Sequence, residues 1–206
     1  MKRCCIFAAG ELSEKEVRLR GDELIIAADA GYENLKSMGI IPHLAIGDFD
    51  SAQAVPTDTE VVKYPKEKDD TDTLLAVKEA ISRGSGEIVI YGSLGGRIDH
   101  TFANIQTLLF IAENGSRGYL VGQGWVITAV KDGSISFGSE KSGTVSVFCA
   151  GDKASGVNIK GLKYEVENAE LRNDFPVGVS NEFIGKDAEI SVQRGIILVM
   201  WEDSGY

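Results

Sequence analysis

The side chains able to do chemistry in this 206-residue chain are mostly aspartates, and eight of the 14 fall between Asp29 and Asp99. Gly47-Asp48-Phe49-Asp50-Ser51 leaves a strand-like run at a glycine and presents two carboxylates two residues apart. Such a pair suits a hard divalent cation, which prefers oxygen ligands and typically takes one or two carboxylates plus the phosphates of a substrate. A solvated Asx turn closed by Ser51 explains the same spacing without a metal. Lys68-Asp69-Asp70-Thr71-Asp72 opens the clearest helical segment. One Asp or Thr there caps a helix, but three carboxylates in four positions repel one another unless a cation or a basic group offsets them.

Gly92-Ser93-Leu94-Gly95-Gly96-Arg97-Ile98-Asp99-His100 lies between a strand-like run and a helical one. Glycines free backbone N–H groups to approach an anion, a helix start adds partial positive charge, and Arg97 can grip a phosphate through two bonds. A tight turn accounts for the glycines alone. Neither GxxxxGK[ST] nor GxGxxG is present, which disfavours a Walker loop and a dinucleotide Rossmann site. His100 reads as a base or as a helix-start packing residue. Further on, Gly178-Val179-Ser180-Asn181-Glu182-Phe183 combines small polar groups with an aromatic, and taken alone a hairpin turn is the first explanation of it.

These groups need a frame. Over residues 1–123 strand-like and helix-like signals alternate, the mark of a mostly parallel sheet with flanking crossover helices. Strands are expected at Arg3 to Ala8, Leu24 to Ala28, Leu44 to Ile46, Glu60 to Val62, Ile88 to Tyr91 and Tyr119 to Val121, and helices at Tyr32 to Met38, Thr71 to Arg83 and Thr101 to Glu113. In the middle helix Leu74, Leu75, Val77 and Ile81 form the apolar stripe and Gly84 the stop. Carboxylates at strand ends and helix starts of such a sheet converge on one crevice. From 124 to 206 strand-length pieces alternate with turn signals and no convincing helix, which predicts an all-β sandwich domain. The fold class is therefore α/β with a C-terminal β sandwich, divided near Gly122 to Gly124.

Composition narrows the partners. The chain carries 21 Lys+Arg against 31 Asp+Glu, a formal charge of −10, the wrong sign for a nucleic-acid footprint. Its apolar runs are far shorter than the ~20 residues of a membrane span, and no secretory signal pattern is evident, so a cytoplasmic protein is expected. Three cysteines, Cys4, Cys5 and Cys149, are an odd count without CxxC spacing, so they read as buried reduced thiols.

Taken in order, Ala27-Ala28-Asp29-Ala30-Gly31, the Gly47 to Ser51 and Lys68 to Asp72 groups, Gly95 to His100, Gly161-Leu162-Lys163-Tyr164 and Ser180 to Phe183 resemble the thiamine pyrophosphokinase family. The resemblance implies a catalytic α/β domain over 1–123, a β sandwich over 124–206 that contributes to thiamine binding and dimerisation, and a homodimer with active sites between subunits. It implies transfer of a pyrophosphoryl group from ATP to the thiamine hydroxyl, releasing AMP, with Mg²⁺ required. By that analogy Asp48, Asp50 and Asp72 hold the metal and Asp99 joins or orients the set. Arg97 and Lys68 offset phosphate charge, while Asp29, Gly31, Gly47, Ser51, Thr71 and His100 line the nucleotide pocket. Ser180 and Asn181 meet thiamine. The proton acceptor is a carboxylate not engaged with metal, or else His100. Competing classes are a Mg-dependent phosphohydrolase and a non-catalytic nucleotide or thiamine binder. The family usually has Gly-Gly after Asp29; Ala30 here would be strained if that position needs positive φ.

Overall fold

The computed structural model describes residues 1–47, 59–64 and 69–203. The chain divides into two compact units, Met1–Gln123 and Gly124–Tyr206.

In the first unit the strands are β1 (Arg3–Phe7), β2 (Leu24–Ala28), β3 (Leu44–Gly47), β4 (Glu60–Lys63), β5 (Glu87–Tyr91) and β6 (Arg117–Gly122). They form parallel pairs in the order β6-β5-β1-β2-β3-β4. The central strands are buried on both faces: Cys4, Cys5, Ile6, Phe7, Ile26, Ala27, Ile88 and Ile90 are all in the core, as a sheet covered by helices requires. Helices α1 (Gly31–Ser37), α2 (Asp72–Ser82) and α3 (Ile98–Glu113) are the crossovers. The right-handed rule for such connections places α1 on one face and α2 with α3 on the other, and α2 and α3 do pack together. At the opening of the strands Arg3 reaches Glu23 at 3.2 Å and Glu87 at 2.9 Å, so one guanidinium ties the starts of β1 and β5 to the approach of β2.

Two sequence expectations change in detail. In α2 the buried residues are Leu75, Ala76, Val77 and Ala80, while Leu74 and Ile81 are half-buried. Alanines at 76 and 80 let the helix axis approach the sheet, so the contact stripe is centred on the smallest side chains rather than the largest. Helix α3 starts at Ile98, three residues before the expected Thr101. Its first two turns expose Ile98 and Phe102, so the apolar periodicity that marks a core face is broken there.

The second unit holds β7 (Trp125–Lys131), β8 (Ser134–Phe137), β9 (Thr144–Cys149), β10 (Lys153–Lys160), β11 (Val166–Arg172), β12 (Asn181–Glu182), β13 (Ala188–Ser191) and β14 (Ile196–Glu202). They form two antiparallel groups, β12-β9-β14-β7 and β11-β10-β13-β8. Phe137 of β8 stands edge-on to Trp201 of β14 and to Phe183, with ring centroids 5.2 and 5.1 Å apart, so an aromatic cluster fills the space between the two layers.

Candidate active site

A helix that returns from one parallel strand to the next runs antiparallel to the sheet, so the starts of α2 and α3 lie at the carboxyl edge of the strands. That edge is where ligands bind in open α/β sheets, at the point where strand order reverses. Here the reversal falls between β1 and β5, since the chain runs outward through β2, β3 and β4 and then resumes on the other side of β1.

Close backbone approaches build this edge. Asp29, directly after β2, has φ 51, and its N–H donates to the Ile46 carbonyl at 2.7 Å. Asp is among the few non-glycine types that enter the left-handed region readily. The following Ala30 is right-handed at φ −64, so the expected strain at that position is absent. The left-handed residue is the aspartate, one position earlier. Gly31 is required for a different reason: a Cβ there would sit 1.8 Å from the Phe7 carbonyl oxygen. Gly47, the last residue of β3, lies against Asp29, whose Cα would be 3.3 Å from an added Cβ. Beside them Gly10 and Gly92 bring the loops after β1 and β5 together, with the Gly10 N–H donating to the Gly92 carbonyl at 3.1 Å. Asn34 of α1 steadies that loop by donating to the Ala8 and Gly10 carbonyls at 2.9 and 3.0 Å.

The glycine-rich turn after β5 is held from below. Ser93 donates to the Ile90 carbonyl, and Asn104, buried on α3, donates to the Ser93 carbonyl at 2.8 Å. Gly92, Gly95 and Gly96 all have positive φ. Arg97 then precedes α3, and its guanidinium forms a two-bond pair with Asp99 at 3.1 and 2.6 Å, both side chains being solvent-exposed. That pair holds the Asp99 carboxyl down to about 2 and raises the Arg97 guanidinium. Asp99 also accepts the His100 N–H at 3.0 Å. The Arg97–Asp99 pair fixes the two side chains against each other at the start of α3.

At α2, Thr71 is the helix cap, its hydroxyl accepting from the Leu74 N–H at 3.2 Å, a bond of about 1 kcal/mol. Asp72 occupies the first helical position, and Asp70 is paired with Lys78 at 2.6 Å, which relieves part of the carboxylate crowding. Asp48, Asp50, Ser51 and Lys68 lie outside the described residues. Among the described residues no three His, Cys, Asp or Glu side chains gather as a metal set.

In the second unit the two motifs far apart in sequence are joined. Leu162 bridges Phe183, the Lys163 N–H donates to the Glu182 carbonyl at 3.0 Å, and Lys163 pairs with Glu182 at 2.6 Å. Ser180 is left-handed at φ 60, and its N–H donates to the Ser146 hydroxyl at 3.1 Å. Asn181 is 6% exposed and bonds the backbone of Tyr164. Asn34, Asn104, Ser146 and Tyr164 were not singled out individually from sequence. For Asn104 a signal was present: an asparagine on the face of α3 that also carries Leu108 and Ile111 of the core.

A parallel α/β unit with a glycine turn, an arginine and two helix starts at its carboxyl edge, joined to a β unit, belongs to the class of α/β proteins whose crevice suits a phosphate-bearing ligand. Residues 17–120 match the family model described as thiamin pyrophosphokinase, catalytic domain, and residues 134–197 match thiamin pyrophosphokinase, vitamin B1 binding domain. The chain belongs to the thiamin pyrophosphokinase family. It is 28% identical over 187 residues to the thiamine pyrophosphokinase of Bacillus subtilis (strain 168), covering 86% of each chain. It is 26% identical over 173 residues to thiamin pyrophosphokinase 1 of Caenorhabditis elegans, covering 76% of this chain and 70% of that one. The crystal structure of the Bacillus subtilis thiamine pyrophosphokinase is similar with a TM-score of 0.89 and 26% identity, over 98% of this chain and 100% of that one. No helix among the described residues is long and apolar enough to cross a membrane.

Proposed function

We propose that this enzyme transfers a pyrophosphoryl group from ATP to the hydroxyl of thiamine, giving thiamine diphosphate and AMP. The observation that carries this is the ordered match of a catalytic and a vitamin B1 binding model across both units. The carboxyl edge of the first unit supports it, with the Gly92 to Gly96 turn and Arg97 suited to phosphate.

In this reading the acceptor oxygen attacks the β-phosphorus and AMP leaves, so positioning and charge neutralisation do most of the work. Asp29, Gly31, Gly47, Ser51, Thr71 and His100 line the nucleotide pocket, and Arg97, set by Asp99, offsets phosphate charge together with Lys68. Asp48, Asp50 and Asp72 would hold Mg²⁺; an all-carboxylate oxygen set fits a hard cation, which when bound neutralises charge on the phosphates. The hydroxyl proton goes to a carboxylate not engaged with the metal, or else to His100. Ser180 and the Asn181 segment serve the thiamine side. Exposed Ile98 and Phe102 in one unit and Phe175, Val177 and Val179 in the other support a homodimer that covers them. The three thiols are free and buried, in keeping with a cytoplasmic protein, and the charge of −10 argues against nucleic-acid partners.

Purified protein, ATP and Mg²⁺ should release AMP only when thiamine is added, with thiamine diphosphate formed in equal amount. AMP release at the same rate without thiamine would favour a phosphohydrolase instead, and no turnover in either case a binding protein.

A further inference from the structure

Gln123 stands at the end of the first unit in a backbone conformation that does not suit it. It has φ 54 and the following Gly124 has φ 73, two successive left-handed residues as a type I′ turn requires. The first of these places is ordinarily filled by Asn, Asp or Gly, which enter the left-handed region readily. Glutamine has no such advantage, and nothing in the turn itself selects it. A residue that opposes its own local conformation points to a role beyond the turn.

What the side chain covers supplies that role. Gly95, in the middle of the glycine-rich turn after β5, is left-handed at φ 83, and a Cβ built on it would lie 2.7 Å from Gln123 Cγ, 3.1 Å from Cδ and 3.2 Å from Nε2. The stem and amide of Gln123 therefore lie against the bare α-carbon of Gly95, whose carbonyl accepts from the Thr101 hydroxyl at 3.4 Å. The neighbouring residues meet as well: a Cβ on Gly122 would lie 3.3 Å from Leu94 Cβ, and the Ser93 hydroxyl is 3.5 Å from the Val121 carbonyl. The end of β6 is thus a wall of the glycine turn, and Gln123 is its rim. Its carboxamide is exposed and makes no hydrogen bond among the described residues. Two N–H donors and one acceptor are open there, beside a turn whose backbone suits an anion.

We propose that Gln123 contacts the nucleotide, its Nε2 donating to a phosphate oxygen of ATP held by the Gly92 to Arg97 turn. This rests on the phosphate reading of that turn given above, and adds to it a neutral donor from a strand end outside the acidic and glycine motifs. The left-handed backbone aims the amide at the turn, and a side chain at position 95 would push it aside.

Two variants test it on the full-length protein with Mg²⁺, by steady-state kinetics varying ATP and thiamine separately and by thermal unfolding. Gln123→Gly removes the amide and suits the left-handed backbone. It should raise the KM for ATP about tenfold, the scale of one hydrogen bond to a charged group. The KM for thiamine and kcat should stay within about threefold, and the unfolding temperature should not fall. Gln123→Glu keeps the stem on Gly95 but replaces the donor with a carboxylate, so the turn keeps its support while the phosphate meets a like charge; the KM for ATP should rise by more than about tenfold. Should Gln123→Gly also lower the unfolding temperature, Gln123→Glu decides, since a role confined to supporting the turn leaves its KM for ATP unchanged and overturns the inference. A wild-type protein without thiamine-dependent AMP release removes the functional reading and this inference with it. A normal wild type whose KM for ATP is unmoved in both variants removes only the inference.

Discussion

Exchanging the residue type at positions 30 and 31 separates two reasons for a glycine that sequence cannot tell apart. A Cβ on Gly31 would lie 1.8 Å from the Phe7 carbonyl oxygen, 2.5 Å from its carbon and 3.1 Å from the Ala8 nitrogen, all backbone atoms of a buried strand end. No rotamer change relieves such a contact, so α1 must move by roughly 1.5 Å to restore van der Waals separation. Overpacking of this kind costs about 3 kcal/mol, the upper part of the usual range, which lowers the unfolding midpoint of the unit by roughly 10 °C. The shift also displaces Asp29, so kcat/KM for ATP should fall by up to about a hundredfold. Ala30, by contrast, is right-handed at φ −64. Restoring the glycine usual in the family there should gain nothing and should cost about 0.5–1 kcal/mol through chain entropy. Thermal unfolding followed by circular dichroism measures both variants, with ATP kinetics alongside. A Gly31→Ala protein within about 0.5 kcal/mol of wild type, the range of neutral surface changes, would refute the close-approach argument, and a stabilised Ala30→Gly protein would refute the right-handed backbone at Ala30.

Two further outcomes are expected. Asn104→Ala leaves the buried Ser93 carbonyl without its donor, so urea unfolding should show a loss of about 1–3 kcal/mol, with a higher KM for ATP as the Gly92 to Arg97 turn loosens; unchanged stability would mean the turn stands without it. The Asp99 carboxyl should titrate near 2 by carbon NMR because Arg97 holds its charged form. The pairing is thus complete above the ordinary carboxylate range and is lost as pH falls toward 2, and Arg97→Gln should return the titration to about 4; a wild-type value already near 4 would show that the pair does not persist in solution.

What was legible in the sequence followed from local chemistry. The apolar runs of β1, β2 and β5 announce strands buried on both faces, and Thr71, Asp72 and Gly84 bracket α2 because capping uses residues next to one another in the chain. The start of α3 was hidden because exposed Ile98 and Phe102 break the expected pattern. Strand β11 carries no apolar alternation, since Val166, Glu167 and Glu170 face water at the edge of their sheet and only its partner β10 makes it a strand. In the site, Asp29 stood out by its place after a strand, but its left-handed backbone did not: that conformation is set by Ile46 and Gly47, which another strand delivers. Asn181 shows the same limit, because its partner Tyr164 is 17 residues away and no spacing rule links a side-chain amide to a distant backbone.

The placement of β1 between β2 and β5 has a bearing on how the chain is made. Both partners are needed before the Cys4 to Phe7 segment is shielded, and the second ends at Tyr91. At ordinary rates of synthesis the ribosome takes roughly 4–17 s to travel from Phe7 to Tyr91, and the exit tunnel lengthens the delay. During that interval the flank of β1 that pairs with β5 is open, with Lys2 and Arg3 at its border. Closure of the central strand of this sheet therefore waits on a segment more than 80 residues further along the chain.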